Sequence, residues 1–184
     1  MKNTPPDAAW RLDASGRVPG AEFIASPNFD ARPPEEAVSL IVIHAISLPP
    51  GEFGGPGIVE LFTNTLDPGA HPYYAGIHAL RVSAHFLIRR DGRLLQFVTC
   101  HDRAWHAGVS QWRGRERCND FSLGIELEGC DDKPFEPAQY AALNALLATL
   151  QSAYPGVEIT GHAQIAPGRK TDPGPCFDWS QITS

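Results

Sequence analysis

Residues 161–175 read GHAQIAPGRKTDPGP and gather one histidine, one aspartate, two cations and three prolines into fifteen positions. Each proline fixes a torsion and removes a backbone donor, and each glycine permits unusual turns. The stretch is therefore expected to run as a loop, unfit for a regular helix or a central strand. Such a loop is either a solvated turn or a stiff support that presents His162 and Asp172 to a metal, with Lys170 beside them. Two histidines and one aspartate form a ligand set suited to zinc, which in catalytic sites keeps a fourth position open. The spacing from His162 to Asp172 is not distinctive by itself, and an aspartate before proline is also a common turn starter.

Seven histidines compete for the remaining ligand position: His44, His71, His78, His85, His101, His106 and His162. A lone histidine is more often a hydrogen-bonded core or surface residue than a ligand. His44 stands out because it interrupts an apolar run near its end, where a buried imidazole needs a partner and where open sheets place their sites. Glu126 lies between Ile125 and Leu127. A carboxylate there is costly to bury unless something pairs with it or uses it. The alternative is an exposed strand face shared with Glu128, and Lys170 read alone is a surface charge.

The elements that must carry these groups follow from periodicity. Residues 1–37 are rich in Pro, Ala, Asp and Gly without a clear period, which reads as an irregular arm that wraps the domain rather than forming core. SLIVIHAI, Ser39 to Ile46, is a β-branched run suited to a strand buried on both faces. Gly57 to Asn64 places Ile58, Leu61 and Phe62 at helical spacing behind Pro56. Asp91-Gly92 between two apolar runs predicts a β-hairpin over Ala84 to Val98. In FSLGIELEG, Phe121 to Gly129, the leucines and isoleucine alternate with Gly124, Glu126 and Glu128, so both carboxylates share one strand face. Pro137 to Tyr154 reads as the long helix, and Val157 to Thr160 as a last strand feeding the opening loop. Strands and helices interleave without a regular βαβ rhythm. The expected class is mixed α/β: a single-domain mixed β-sheet flanked by helices.

Length and charge narrow the function. A chain of 184 residues is long enough for one sizeable core. A net charge of -6 offers no electrostatic footprint for nucleic acid. No window approaches the roughly 20 apolar residues of a membrane span, and the first residues lack the apolar run of a secretory signal, so a cytoplasmic location is expected. Cys100, Cys118, Cys130 and Cys176 stand far apart with no CxxC pair, which suggests free thiols in a reducing compartment.

Taken together, SPNFDARP, VIHAISLPPGEFGGPGIVELFTNTLDPGAHPYYAGI, LRVSAHFLIRRDG, RAWHAGVSQWRGRERCNDFSLGIELEG and TGHAQIAPGRKTDPGPCFDW resemble the type 2 N-acetylmuramoyl-L-alanine amidase and peptidoglycan-recognition family over most of Ser26 to Trp179. The resemblance implies a zinc amidase domain over 38–184, with the 1–37 arm part of the same domain. It implies one zinc ion held by His44, His162 and Asp172, Glu126 as general base, and Lys170 steadying the oxyanion. It also implies Arg81, Arg117 and Trp105 as substrate contacts. The implied reaction is hydrolysis of the amide between the lactyl group of 1,6-anhydro-N-acetylmuramic acid and L-alanine, in cytoplasmic muropeptide recycling. The expected partner is a small anhydro-muropeptide, bound by a monomer that engages neither nucleic acid nor membrane. Two relatives of that reaction stay open: a non-catalytic muropeptide-binding module, whose usual mark is a lost zinc ligand, and an amidase that degrades intact wall. One departure is Ala45, which follows the first ligand where family members carry asparagine and so puts a contact beside the metal in doubt.

Overall fold

The structure, a computed structural model, describes residues 10–183. The first nine residues of the expected arm lie outside the described residues. In chain order the strands are β1 (Glu22–Phe23), β2 (Phe29–Ala31), β3 (Leu40–Ile46), β4 (Phe86–Ile88), β5 (Leu94–Gln96), β6 (Asp102–Ala104), β7 (Gln111–Trp112), β8 (Arg115–Glu116), β9 (Ser122–Glu128) and β10 (Glu158–Gly161). The helices are α1 (Gly57–Phe62), α2 (Pro137–Ala153) and α3 (His162–Ile165).

Six strands form one mixed sheet in the order β1-β5-β4-β9-β3-β10. The β4–β5 hairpin supplies its antiparallel pair, turning at Gly92 with φ +82°, a conformation that glycine adopts without steric cost. The other pairings are parallel, with β9 between β4 and β3, and β3 between β9 and the edge strand β10. Parallel strands covered on both faces need apolar residues at nearly every position. Leu40 to Ile43 on β3 and Leu123, Ile125 and Leu127 on β9 meet that need.

The two faces differ in what they cover. Ile41, Ile43, Phe86, Ile88, Leu123, Ile125 and Leu127 pack under α2 through Leu143, Leu146, Leu147 and Leu150. Because side chains alternate along a strand, the opposite face carries Val42 and His44 from β3 and Gly124, Glu126 and Glu128 from β9. That second face is closed on one side by α1 with Leu87 and Phe97, and on the other by Phe121 and Ile165. Ala45, beside the first expected ligand, packs against the α2-side core.

Two local expectations are revised. The stretch read as irregular contributes β1 at the sheet edge and β2, which pairs with β6, and Val18 enters the main core. The segment beginning at Gly161 opens as the short helix α3 rather than as loop. Its four residues precede the first proline of the segment, Pro167, and the Gln164 side chain accepts the Gly161 amide at 3.1 Å to cap the turn.

Glu128, read as half of an exposed face, is 1% exposed. Its Oε1 accepts from Arg89 at 2.9 Å and from the Gly54 amide at 2.7 Å, and its Oε2 accepts the Arg90 amide at 3.2 Å. This network ties the loop after β3 to the hairpin. Breaking a buried pair strands the other charge, so Glu128→Ala is expected to cost about 3–5 kcal/mol in a urea unfolding titration. A loss under about 1 kcal/mol, the range of exposed pairs, would show that the network does not support the fold.

Candidate active site

The register of the parallel strands builds the site. Residue His44 of β3 lies opposite Glu126 of β9, and Gly161 at the end of β10 lies opposite Ile43. His162 follows Gly161 directly, so it emerges beside His44 at the carboxyl ends of neighbouring strands, where open sheets place their ligands. The Asp172 carbonyl accepts the Ala163 amide at 2.9 Å, which folds the proline-rich segment back and brings its carboxylate to the two imidazoles.

Three donor atoms then meet. His44 Nδ1 lies 2.9 Å from His162 Nδ1 and 3.1 Å from Asp172 Oδ2, and His162 Nδ1 lies 3.0 Å from the same Oδ2. Each imidazole uses its other nitrogen elsewhere: His162 Nε2 faces the Ala107 carbonyl at 3.1 Å and His44 Nε2 faces His106 Nδ1 at 2.9 Å. Two ring nitrogens and one carboxylate oxygen converging at this distance fit a single cation with N and O ligands, as zinc prefers. Burial lowers the His44 pKa to about 4, so the ring is neutral and able to ligate.

Beside this cluster, Glu126 is 8% exposed and its Oε2 has no hydrogen-bond partner among the described residues. Burial raises its pKa well above the ordinary value, the Asp172 charge adds to the rise, and Lys170 opposes it. A buried carboxyl with a spare oxygen and a raised pKa is suited to move a proton. His44, His162, Asp172, Glu126, Lys170 and Trp105 all line one cavity of about 540 Å³. Its outer walls include Tyr73, Leu80 and Ile77 from the loop before β4.

The structure does not bring every expected residue there. Arg81 is exposed and donates to the Ala79 and Leu80 carbonyls at 3.1 and 3.3 Å. Arg117 lines a second groove with Val109, Ile165 and Pro167, and its Nε lies 3.2 Å from Asp120 Oδ2. Arg169 borders both hollows and donates to the Ala107 carbonyl at 2.7 Å. Its spacing in the sequence does not distinguish it from surface charge. His106 was one histidine among seven, and its contact with His44 emerges only when the chain between β6 and β9 folds over the sheet.

Buried neutral imidazoles make the metal-free protein acid-sensitive. Burial lowers the pKa of His44 to about 4 and that of His85 to about 3, against 6.5 unfolded. Below pH 6.5 the unfolded chain binds protons that the fold refuses, so stability is full above that value and is lost as pH falls toward 4 and then 3. Burial also lowers the pKa of His106 well below 6.5, and Glu126, raised above its ordinary 4.5, acts in the opposite sense as one group against three. The chelator-treated protein is expected to melt at progressively lower temperature from pH 6.5 to pH 4. A flat profile over that window would mean that the imidazoles are hydrated.

Residues 34–175 match the family described as N-acetylmuramoyl-L-alanine amidase. The 1,6-anhydro-N-acetylmuramyl-L-alanine amidase AmpD of Salmonella typhimurium is 58% identical over 179 residues, 96% of this chain and 92% of the relative. The crystal structure of a selenomethionine AmpD derivative superposes with a TM-score of 0.91 at 57% identity, covering 94% of this chain and 99% of the other. The N-acetylmuramyl-L-alanine amidase AmiD from E. coli was solved with the substrate anhydro-N-acetylmuramic acid-L-Ala-D-gamma-Glu-L-Lys. It is similar at TM-score 0.57 and 32% identity, over 81% of this chain and 58% of that one.

Proposed function

The chain belongs to the N-acetylmuramoyl-L-alanine amidase family, and from that premise we propose that it hydrolyses the amide joining the lactyl group of 1,6-anhydro-N-acetylmuramic acid to L-alanine, as a zinc enzyme of muropeptide recycling. The observation that carries the reading is the convergence of His44, His162 and Asp172 beside the unpartnered carboxyl of Glu126. A non-catalytic module has no use for a buried, unpaired carboxylate at that place.

His44, His162 and Asp172 would hold the zinc. When bound, zinc supplies Lewis acidity for the carbonyl and lowers the pKa of a coordinated water toward about 7. The protein's own residues do the rest. Glu126 takes a proton from the attacking water and returns it to the departing L-alanine nitrogen, so that one carboxyl serves as base and then acid. Lys170 places a positive charge where negative charge develops on the carbonyl oxygen; one well-placed donor is worth roughly 2.7–4 kcal/mol in other enzymes. Trp105 and Tyr73 wall the cavity for the sugar.

Arg81 and Arg117 lie outside the cavity, Arg117 in the second groove, so we assign them the stem-peptide carboxylates beyond L-alanine, because a guanidinium holds a carboxylate through two parallel hydrogen bonds where an ammonium cannot. Arg81→Lys or Arg117→Lys is expected to raise KM for the tripeptide substrate and to change it little for one truncated at L-alanine amide. Equal effects on both substrates would move these arginines to fold support.

The recycling reading also predicts the order of substrates. Soluble anhydro-muramyl tripeptide should be cut faster than its reducing-end counterpart, and intact sacculi slowest, with the preference expressed in kcat/KM. Timed digests of all three followed by mass spectrometry test this, and rapid release of peptides from sacculi would favour the wall-degrading amidase instead. Among the described residues no helix is long and apolar enough to cross a membrane. A monomer acting in the cytoplasm on imported fragments completes the proposal.

A further inference from the structure

The metal-facing nitrogen of His44 is selected by a chain of hydrogen bonds running away from the site. Ser122 Oγ approaches the Cys118 carbonyl closely, and two oxygens tolerate that approach only with the serine proton between them. Having given its proton, Ser122 Oγ can only accept, and His106 Nε2 lies 3.1 Å from it. His106 therefore carries its proton on Nε2 and presents a lone pair at Nδ1. That lone pair faces His44 Nε2 at 2.9 Å, so His44 is protonated at Nε2 and its Nδ1 lone pair points at His162 and Asp172.

The seat of His106 is built for this. A Cβ at Gly124 would come within 2.5 Å of the His106 Cγ, so the glycine on β9 lets the ring lie directly over the strand. The Asn119 side chain accepts both the His106 and Ala107 amides, at 3.1 and 2.8 Å, and pins the backbone beneath the ring. The adjacent Ala107 carbonyl accepts His162 Nε2–H at 3.1 Å, which leaves His162 Nδ1 as a lone pair too. One short segment, whose His106 also borders the cavity, thus sets the tautomer of both imidazoles.

We propose that His106, held by Ser122 and seated on Gly124, is a positioning residue that locks His44 in the Nε2–H tautomer and so creates the metal-facing Nδ1. The inference rests on the assignment of His44, His162 and Asp172 as ligands. Its first test needs no substitution and no metal: nitrogen-15 spectra of histidine-labelled, chelator-treated protein at pH 7.5 should show His106 protonated at Nε2 and unprotonated at Nδ1. An Nδ1–H tautomer at His106 would overturn the proposal even if zinc binds as expected.

The second test is zinc affinity by competition with a chromophoric chelator, with melting temperature as a check of folding. His106→Leu should weaken zinc binding by roughly 10–100-fold, the usual effect of losing the partner behind a ligand. His106→Asn, whose Oδ1 can occupy the place of Nδ1, should recover most of that loss. Ser122→Ala should give a smaller loss and mixed tautomers at His106, and it reads the relay should His106→Leu fail to fold. Unchanged affinity in His106→Leu, or equal losses in the Leu and Asn variants, would overturn the proposal. Failure of the parent protein to bind zinc would instead count against the ligand assignment, and the spectra would still report on the relay.

Discussion

Glu126→Ala is expected to retain one zinc per chain while hydrolysing anhydro-muramyl tripeptide about 10²–10⁴-fold more slowly, the usual loss on removing a general acid-base group. Retention follows from geometry, because the three convergent donor atoms belong to His44, His162 and Asp172 and none to Glu126. The rate loss follows from its setting. Glu126 sits opposite His44 in the β3–β9 register, nearly buried, with Oε2 unpartnered and its pKa raised by burial and by the charge of Asp172. Glu126→Gln keeps the shape and removes the proton acceptor, so it should be as slow as Glu126→Ala. Near-normal turnover in both variants, with zinc present, would reduce Glu126 to a strand-face carboxylate and require another base.

His44→Ala should lose both metal and turnover. Removing one of three ligands should weaken zinc binding by more than the roughly 10–100-fold expected for a partner behind a ligand. The loss has a thermodynamic signature independent of activity. A ligand that binds only the folded state raises its stability by RT ln(1 + [L]/Kd), so the parent protein should melt at higher temperature as zinc is added. The variant should not. His44 is 1% exposed and packs against both His106 and His162, so some loss of metal-free stability is also expected, and the zinc-dependent increment is the quantity that decides. A variant that still melts higher with zinc and still hydrolyses substrate would remove His44 from the metal site.

Much of the scaffold was legible because it rests on local patterns. The β-branched run of β3, the Asp91-Gly92 turn, the Ala- and Leu-rich α2 behind Pro137 and the alternation of β9 are each specified within a few residues. Where reading by composition failed, a contact distant in sequence decided. Glu22–Phe23 has too little pattern to announce a strand, and it becomes one because β5 offers an open edge. Proline and glycine content marked the segment after Gly161 as loop, yet its first turn is helical once Gln164 caps it and Asp172 holds Ala163. Glu128 resembled solvated charge until Arg89 and Gly54 enclosed it.

The sequence by itself determined which groups were available for chemistry and which strand face would carry them, because residue type and period-two alternation are properties of the chain. It set Glu126 on the polar face of β9 and His44 within an apolar strand, whatever lay beside them. Only the tertiary structure decided that those two positions are opposite one another, that β10 delivers His162 next to His44, and that the nitrogen of His44 facing away from His162 and Asp172 meets His106. Parallel strands take their neighbours through long crossovers, so adjacency between residues 44, 126 and 162 is a product of sheet order and register, and no local pattern encodes it.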